Sequence, residues 1–83
     1  MKNGIISDTR KMRLYDARKN SCCKVVSSPD HPLLDSLGIC PDSLVVVKNK
    51  YAFGGPVLLQ VDTATIALGK LIAQQILVEE VAG

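Results

Sequence analysis

Four side chains in this 83-residue sequence could act as a soft metal ligand, a nucleophile or a base near neutral pH: Cys22, Cys23, Cys40 and the single histidine, His31. Structural zinc sites bring their ligands in pairs separated by two to four residues, and none of these four is so spaced. Cys22 and Cys23 are neighbours, and on an extended segment neighbouring side chains point to opposite faces, so the pair does not chelate one ion. The expectation is one thiol packed as a small hydrophobe and the other facing solvent. A cysteine nucleophile needs a base held by a third group in a cleft, and nothing marks such a cleft. Gly54-Gly55 belongs to no phosphate-binding loop, because the following lysine and hydroxyl residue are missing. The residues therefore predict a non-enzyme with no catalytic group, cofactor or metal site.

Residues suited to binding a partner are easier to find. Aromatic residues make up 4% of the chain, and two of the three, Tyr51 and Phe53, fall beside Gly54-Gly55-Pro56. Two glycines permit positive backbone dihedrals and the proline then fixes the entry into the next segment, so this is a shaped turn presenting its aromatics. Leu71 and Ile72 are consecutive in a short helical stretch and diverge by about 100°, which predicts one of them outside the buried stripe. In the Leu33, Leu34, Leu37 group, Leu33 and Leu37 suit the core at i and i+4, leaving Leu34 to one side for a partner. The expected protein-binding set is Leu33, Leu34, Tyr51, Phe53, Gly54, Gly55, Pro56, Leu71 and Ile72.

The elements that must carry these residues follow from the punctuation. Residues 1–11 are polar and aperiodic and read as a loose N-terminal leader, with a single domain over 12–83. Cys22 to Ser27 reads as a strand, and Ser28 to Ile39 as one short helix capped by Ser28 or Asp30, with Pro32 in its first turn. Gly38 is placed to take a left-handed conformation at the helix end, Ile39 to fold back onto the leucine face, and Pro41 to prevent continuation. Leu44 to Val47, Pro56 to Val61 and Ala64 to Leu68 read as strands, Gly69 to Gln75 as about two helical turns, and Leu77 to Glu79 as a closing strand. In Pro56 to Val61, Val57, Leu59 and Val61 share one face. The order predicts a mostly β fold: a small antiparallel barrel of about five strands with one or two short helices, closed so as to remove its edges.

A domain of this size buries only about 60 to 65% of its extended surface, leaving little room for a deep cleft. Ten bases against eight acids give a net charge of +2, too small to predict nucleic-acid binding. The distribution is uneven, since residues 1–24 hold seven bases and two acids. That basic end could meet an anionic surface, and a small barrel binding nucleic acid through it is the alternative from a different class. Three cysteines, two of them adjacent, make no disulfide framework; the start has no signal-peptide core, and no apolar run approaches the 18 or so residues of a membrane span. These features predict a soluble, cytoplasmic protein with reduced thiols.

The stretch Leu33-Leu34-Asp35-Ser36-Leu37-Gly38-Ile39, then Pro41, Phe53-Gly54-Gly55-Pro56-Val57, Ile66-Ala67-Leu68-Gly69 and Ala73 through Ile76-Leu77-Val78-Glu79 resembles the FeoA family. Met12-Arg13-Leu14-Tyr15-Asp16 looks like that family's first turn, so the resemblance covers roughly residues 12 to 80. It implies an SH3-like barrel and an accessory role in bacterial ferrous iron transport. The implied partner is the FeoB-type membrane permease with its cytosolic GTPase domain. The chain would then be peripheral to the membrane through that partner, with no nucleic acid, and possible homo-oligomers. The same domain type resembles the C-terminal module of DtxR-like metal-responsive repressors, a further alternative; the absence of a helix-turn-helix segment in front favours the transport accessory. The sequence departs from the family pattern at Ala52, where proline is frequent, at Cys22-Cys23, and at Leu71 and Ile72, where charged residues are frequent.

Overall fold

The computed structural model describes residues 11–81. Six strands alternate with short helical pieces: β1 (Lys11–Arg13), a tight helical turn over Leu14–Asp16, β2 (Cys22–Ser27), α1 (Pro32–Ser36), β3 (Leu44–Lys50), β4 (Val57–Val61), β5 (Ala64–Leu68), α2 (Lys70–Ala73) and β6 (Leu77–Glu80). They form one antiparallel sheet in the order β1-β6-β2-β3-β4-β5. The sixth strand is β1, where Lys11, Met12 and Arg13 pair with Glu79, Val78 and Leu77. Lys11 thus belongs to a strand rather than to the expected leader, whose residues 1–10 lie outside the described residues.

Period-two alternation builds the core. Cys23 and Val25 from β2, Val45 and Val47 from β3, Val57, Leu59 and Val61 from β4, and Val78 from β6 are buried together. Leu68 adds to them from β5, and Leu14, Ala17, Leu34, Ile39, Ala73 and Ile76 fill the space from the helices and connecting segments. Register breaks between Val25 and Ser27 and between Val47 and Asn49 bend β2 and β3, the device by which a short sheet curls over one core. Among the described residues the hydrogen-bonded ladder of this small SH3-like barrel runs from β1 at one end to β5 at the other.

α1 is shorter than expected. It spans five residues, and its N-cap is His31 rather than Ser28 or Asp30. The cause is Pro32, which forces the residue before it out of the helical region, and His31 accordingly sits at φ −136°, ψ 121°. Its Nδ1 accepts a hydrogen bond from the Leu33 N–H at 3.2 Å. At the other end Gly38 adopts φ +80°, its N–H donates to the Asp35 carbonyl (3.1 Å), and the Ile39 N–H donates to the Leu34 carbonyl (2.9 Å). This is a Schellman motif.

Its geometry overturns the assignment of Leu34 as a residue free for a partner. The motif packs the residue after the glycine against the one five positions earlier, here Ile39 against the Leu34 turn. Both side chains are fully buried. Leu33 is the half-exposed leucine of the helix, and Leu37 packs partly against the core.

Candidate protein-interaction site

Three pieces of chain were expected to present binding residues, and the structure unites two of them. The turn between β3 and β4 is closed at its base by the Tyr51 N–H donating to the Pro56 carbonyl (3.1 Å) and inside by the Gly55 N–H donating to the Ala52 carbonyl (3.2 Å). Positive dihedrals fall on Phe53 (φ +60°) and Gly54 (φ +77°), not on the two glycines as expected. Gly55 is required for space instead: a Cβ there would lie 2.8 Å from the Tyr51 Cβ and 3.2 Å from the Ala52 carbonyl oxygen. The consequence is that Phe53, a residue that pays for a left-handed backbone, is held with its ring wholly in solvent, at 106% relative exposure. Tyr51 beside it is half exposed.

α2 reaches this turn through one side chain. Lys70, its first residue, runs past Gly54, where a Cβ would come within 3.8 Å of the lysine Cδ. Ala73 anchors the helix in the core and Ile72 packs partly against it, so the divergence of consecutive helical residues leaves Leu71 outside, 76% exposed. α1 contributes Leu33 alone, with Leu34 removed into the core.

Sequence reasoning missed three residues here. Tyr15, from the tight turn after β1, directs its hydroxyl toward the Gly55 carbonyl at 3.5 Å. The ammonium groups of Lys50 and Lys70 stand 5.8 and 5.6 Å from the centre of its ring. These positions are separated by 35 and 20 residues, so no local spacing could have joined them.

The thiols and the histidine are dispersed. Cys23 is buried, Cys22 partly so, and Cys40 is exposed beside the Ser43 hydroxyl at 3.2 Å. Burial pushes the Cys23 thiol above its ordinary pKa, against the lowering effect of its hydrogen bond with the Ser21 hydroxyl (3.6 Å); the Glu80 and Cys22 charges add to the rise. A thiol so held stays protonated and is a poor nucleophile. His31 serves as a helix cap, and among the described residues no three His, Cys, Asp or Glu side chains are grouped to hold a metal ion. Of the basic N-terminal residues, Arg13 pairs with Asp16 (2.9 Å), Arg18 with Glu80 (3.1 Å) and Lys24 with Asp42 (3.9 Å). Lys2 and Arg10 lie outside the described residues.

The fold and site define a small SH3-like β domain whose distinctive surface is an aromatic turn beside a short helix. The FeoA domain family model matches residues 12–80, and the chain belongs to that family. Among solved structures, an iron uptake regulatory protein (FeoA) superposes with a TM-score of 0.77 at 22% identity, covering 86% of this chain and 97% of that one. The FeoA-like protein from Clostridium acetobutylicum superposes at 0.76 and 22% identity, covering 89% and 91%. A manganese-dependent transcriptional repressor also matches, at 0.77 and 28% identity, covering 86% of this chain. The chain spans 42% of that repressor's length. No curated protein sequence gives a significant match. Among the described residues no helix is long and apolar enough to cross a membrane.

Proposed function

We propose that this chain is a non-enzymatic, cytoplasmic accessory protein of ferrous iron uptake that docks on the cytosolic GTPase domain of a FeoB-type permease and regulates it. Membership of the FeoA family over residues 12–80 supports the iron-uptake setting. The observation that carries the docking role is Phe53. A phenylalanine in a left-handed conformation costs about 1 to 2 kcal/mol and, fully exposed, recovers none of it through packing within this chain. An aromatic so placed is suited to a pocket on another protein, where such anchors concentrate binding energy. Tyr51 beside it, Leu71 on α2 and Leu33 on α1 are further exposed apolar side chains.

The test is binding of the purified GTPase domain to the immobilised chain, compared with Phe53→Ala and Leu71→Ser. Loss of about 2 kcal/mol of affinity at Phe53 with an unchanged circular dichroism spectrum supports docking. Failure of the wild-type chain to bind, or equal binding by both variants, removes it.

A second reading, a module of a metal-responsive repressor, is favoured by the 28% identity to the manganese-dependent repressor. It requires stoichiometric uptake of Mn(II) or Fe(II) at micromolar affinity, diminished in His31→Ala. A flat calorimetric titration rejects it.

A further inference from the structure

The geometry points to an acid-binding subsite on the docking surface: the ammonium groups of Lys50 and Lys70, each beside the Tyr15 ring, take up aspartate and glutamate side chains of an acidic segment of the partner protein. The inference rests on the docking reading and adds the chemistry of what docks. Lys50 ends β3 and Lys70 opens α2, yet both converge on one half-buried aromatic ring, at 5.8 and 5.6 Å. Neither lysine is in salt-bridge contact with a carboxylate of the described residues. The carboxylates of Asp16, Asp42 and Glu80 lie against Arg13, Lys24 and Arg18 instead. Two cations thus share one tyrosine ring as their neighbour, with no carboxylate of the described residues paired to either.

The arrangement is also restrained. Tyr15 reaches the Gly55 carbonyl through its hydroxyl, and the Lys70 stem runs past Gly54, so the subsite shares its framework with the turn that exposes Phe53. Each ammonium has three donors, and the ring face uses none of them as a hydrogen-bond acceptor would, leaving donors for an incoming carboxylate. The fitting ligand is a run of acidic side chains beside an apolar one. The acids meet Lys50 and Lys70, and the apolar neighbour meets Phe53, on the turn that the Lys70 stem runs past.

The experiment is a nuclear magnetic resonance titration of the full chain with hexaglutamate, with hexalysine and inorganic phosphate as separate probes. Hexaglutamate is expected to shift the Tyr15 ring signals and the amides of Lys50, Gly54, Gly55 and Lys70, with the shifts fading as sodium chloride is raised. Lys50→Gln combined with Lys70→Gln should weaken the peptide about tenfold, two exposed ion pairs being worth roughly that together. The combination Lys19→Gln with Lys24→Gln removes the same charge elsewhere and should have little effect. Absence of shifts, equal loss in both double variants, or a response to phosphate but not to hexaglutamate overturns the subsite. The hexaglutamate result decides the subsite and binding of the GTPase domain decides docking, so the failure of one is distinguishable from the failure of the other.

Discussion

α1 and the turn after β3 carry the same kind of residue, large and apolar beside a glycine in the left-handed region, and put it to opposite uses. At α1, Gly38 reverses the chain so that Ile39 and Leu34 enter the core. At the turn, Phe53 itself adopts the left-handed conformation next to Gly54, and its ring is turned outward. The difference lies in what closes each reversal. Two backbone hydrogen bonds close each: at the helix end the second is made by Ile39 itself and draws it inward, whereas at the turn they join Tyr51 to Pro56 and Ala52 to Gly55, which leaves Phe53 and Gly54 at the tip, outside. A left-handed residue thus marks a reversal of the chain, and the hydrogen bonds around it decide whether the adjacent side chain enters the core or is left in solvent.

The largest way to break this contrast is Leu34→Ala. Truncating a fully buried leucine should cost about 2 to 5 kcal/mol, read as a drop in the urea midpoint. A loss below about 0.5 kcal/mol would place Leu34 on the surface after all. Gly55→Ala follows: its Cβ must displace Tyr51 or the Ala52 carbonyl, with an expected loss of about 1 to 3 kcal/mol and altered signals from Tyr15, whose hydroxyl faces the Gly55 carbonyl.

The next effect is set by pH. The folded state holds the Cys23 proton more tightly than the unfolded chain, so its contribution to stability is complete below the ordinary cysteine range and declines as pH rises through that range and beyond. Urea midpoints should fall between about pH 8 and 10, and Cys23→Ala should lessen that slope. A midpoint independent of pH there, or a slope equal in the variant, would remove Cys23 as its source.

The smallest effect on stability is expected at the presented residue. Phe53→Gly relieves the positive dihedral while loosening the unfolded chain, so the midpoint should change by less than about 1 kcal/mol, in either direction. Binding of the GTPase domain should nevertheless fall. A large destabilisation by Phe53→Gly would show that the ring supports the fold and would erase the contrast with Leu34.

Much of this was legible in the sequence because it is written in local rules. The alternation in Val57, Leu59 and Val61, the helix stop at Gly38 and the aromatic turn at residues 51–56 each need only a few neighbouring residues. Leu34 shows where local reading was incomplete. Pairing leucines by i, i+4 spacing selected Leu33 and Leu37, yet a glycine at position 38 already implied that Ile39 packs toward residue 34. The helix has only five residues, so its terminal motif, not its periodicity, determined which leucine is buried.

The amino-acid sequence alone determined the alternating strands, the chain reversals and the scarcity of catalytic groups, since these depend on side-chain type and near-neighbour spacing. Tertiary structure alone decided that β1 joins the sheet through β6, that Leu71 rather than Ile72 faces out, and that Tyr15, Lys50 and Lys70 meet beside Gly54. The reason is range. Each of those outcomes joins residues far apart in the chain, and their proximity exists only once six short strands have curled around a shared aliphatic core.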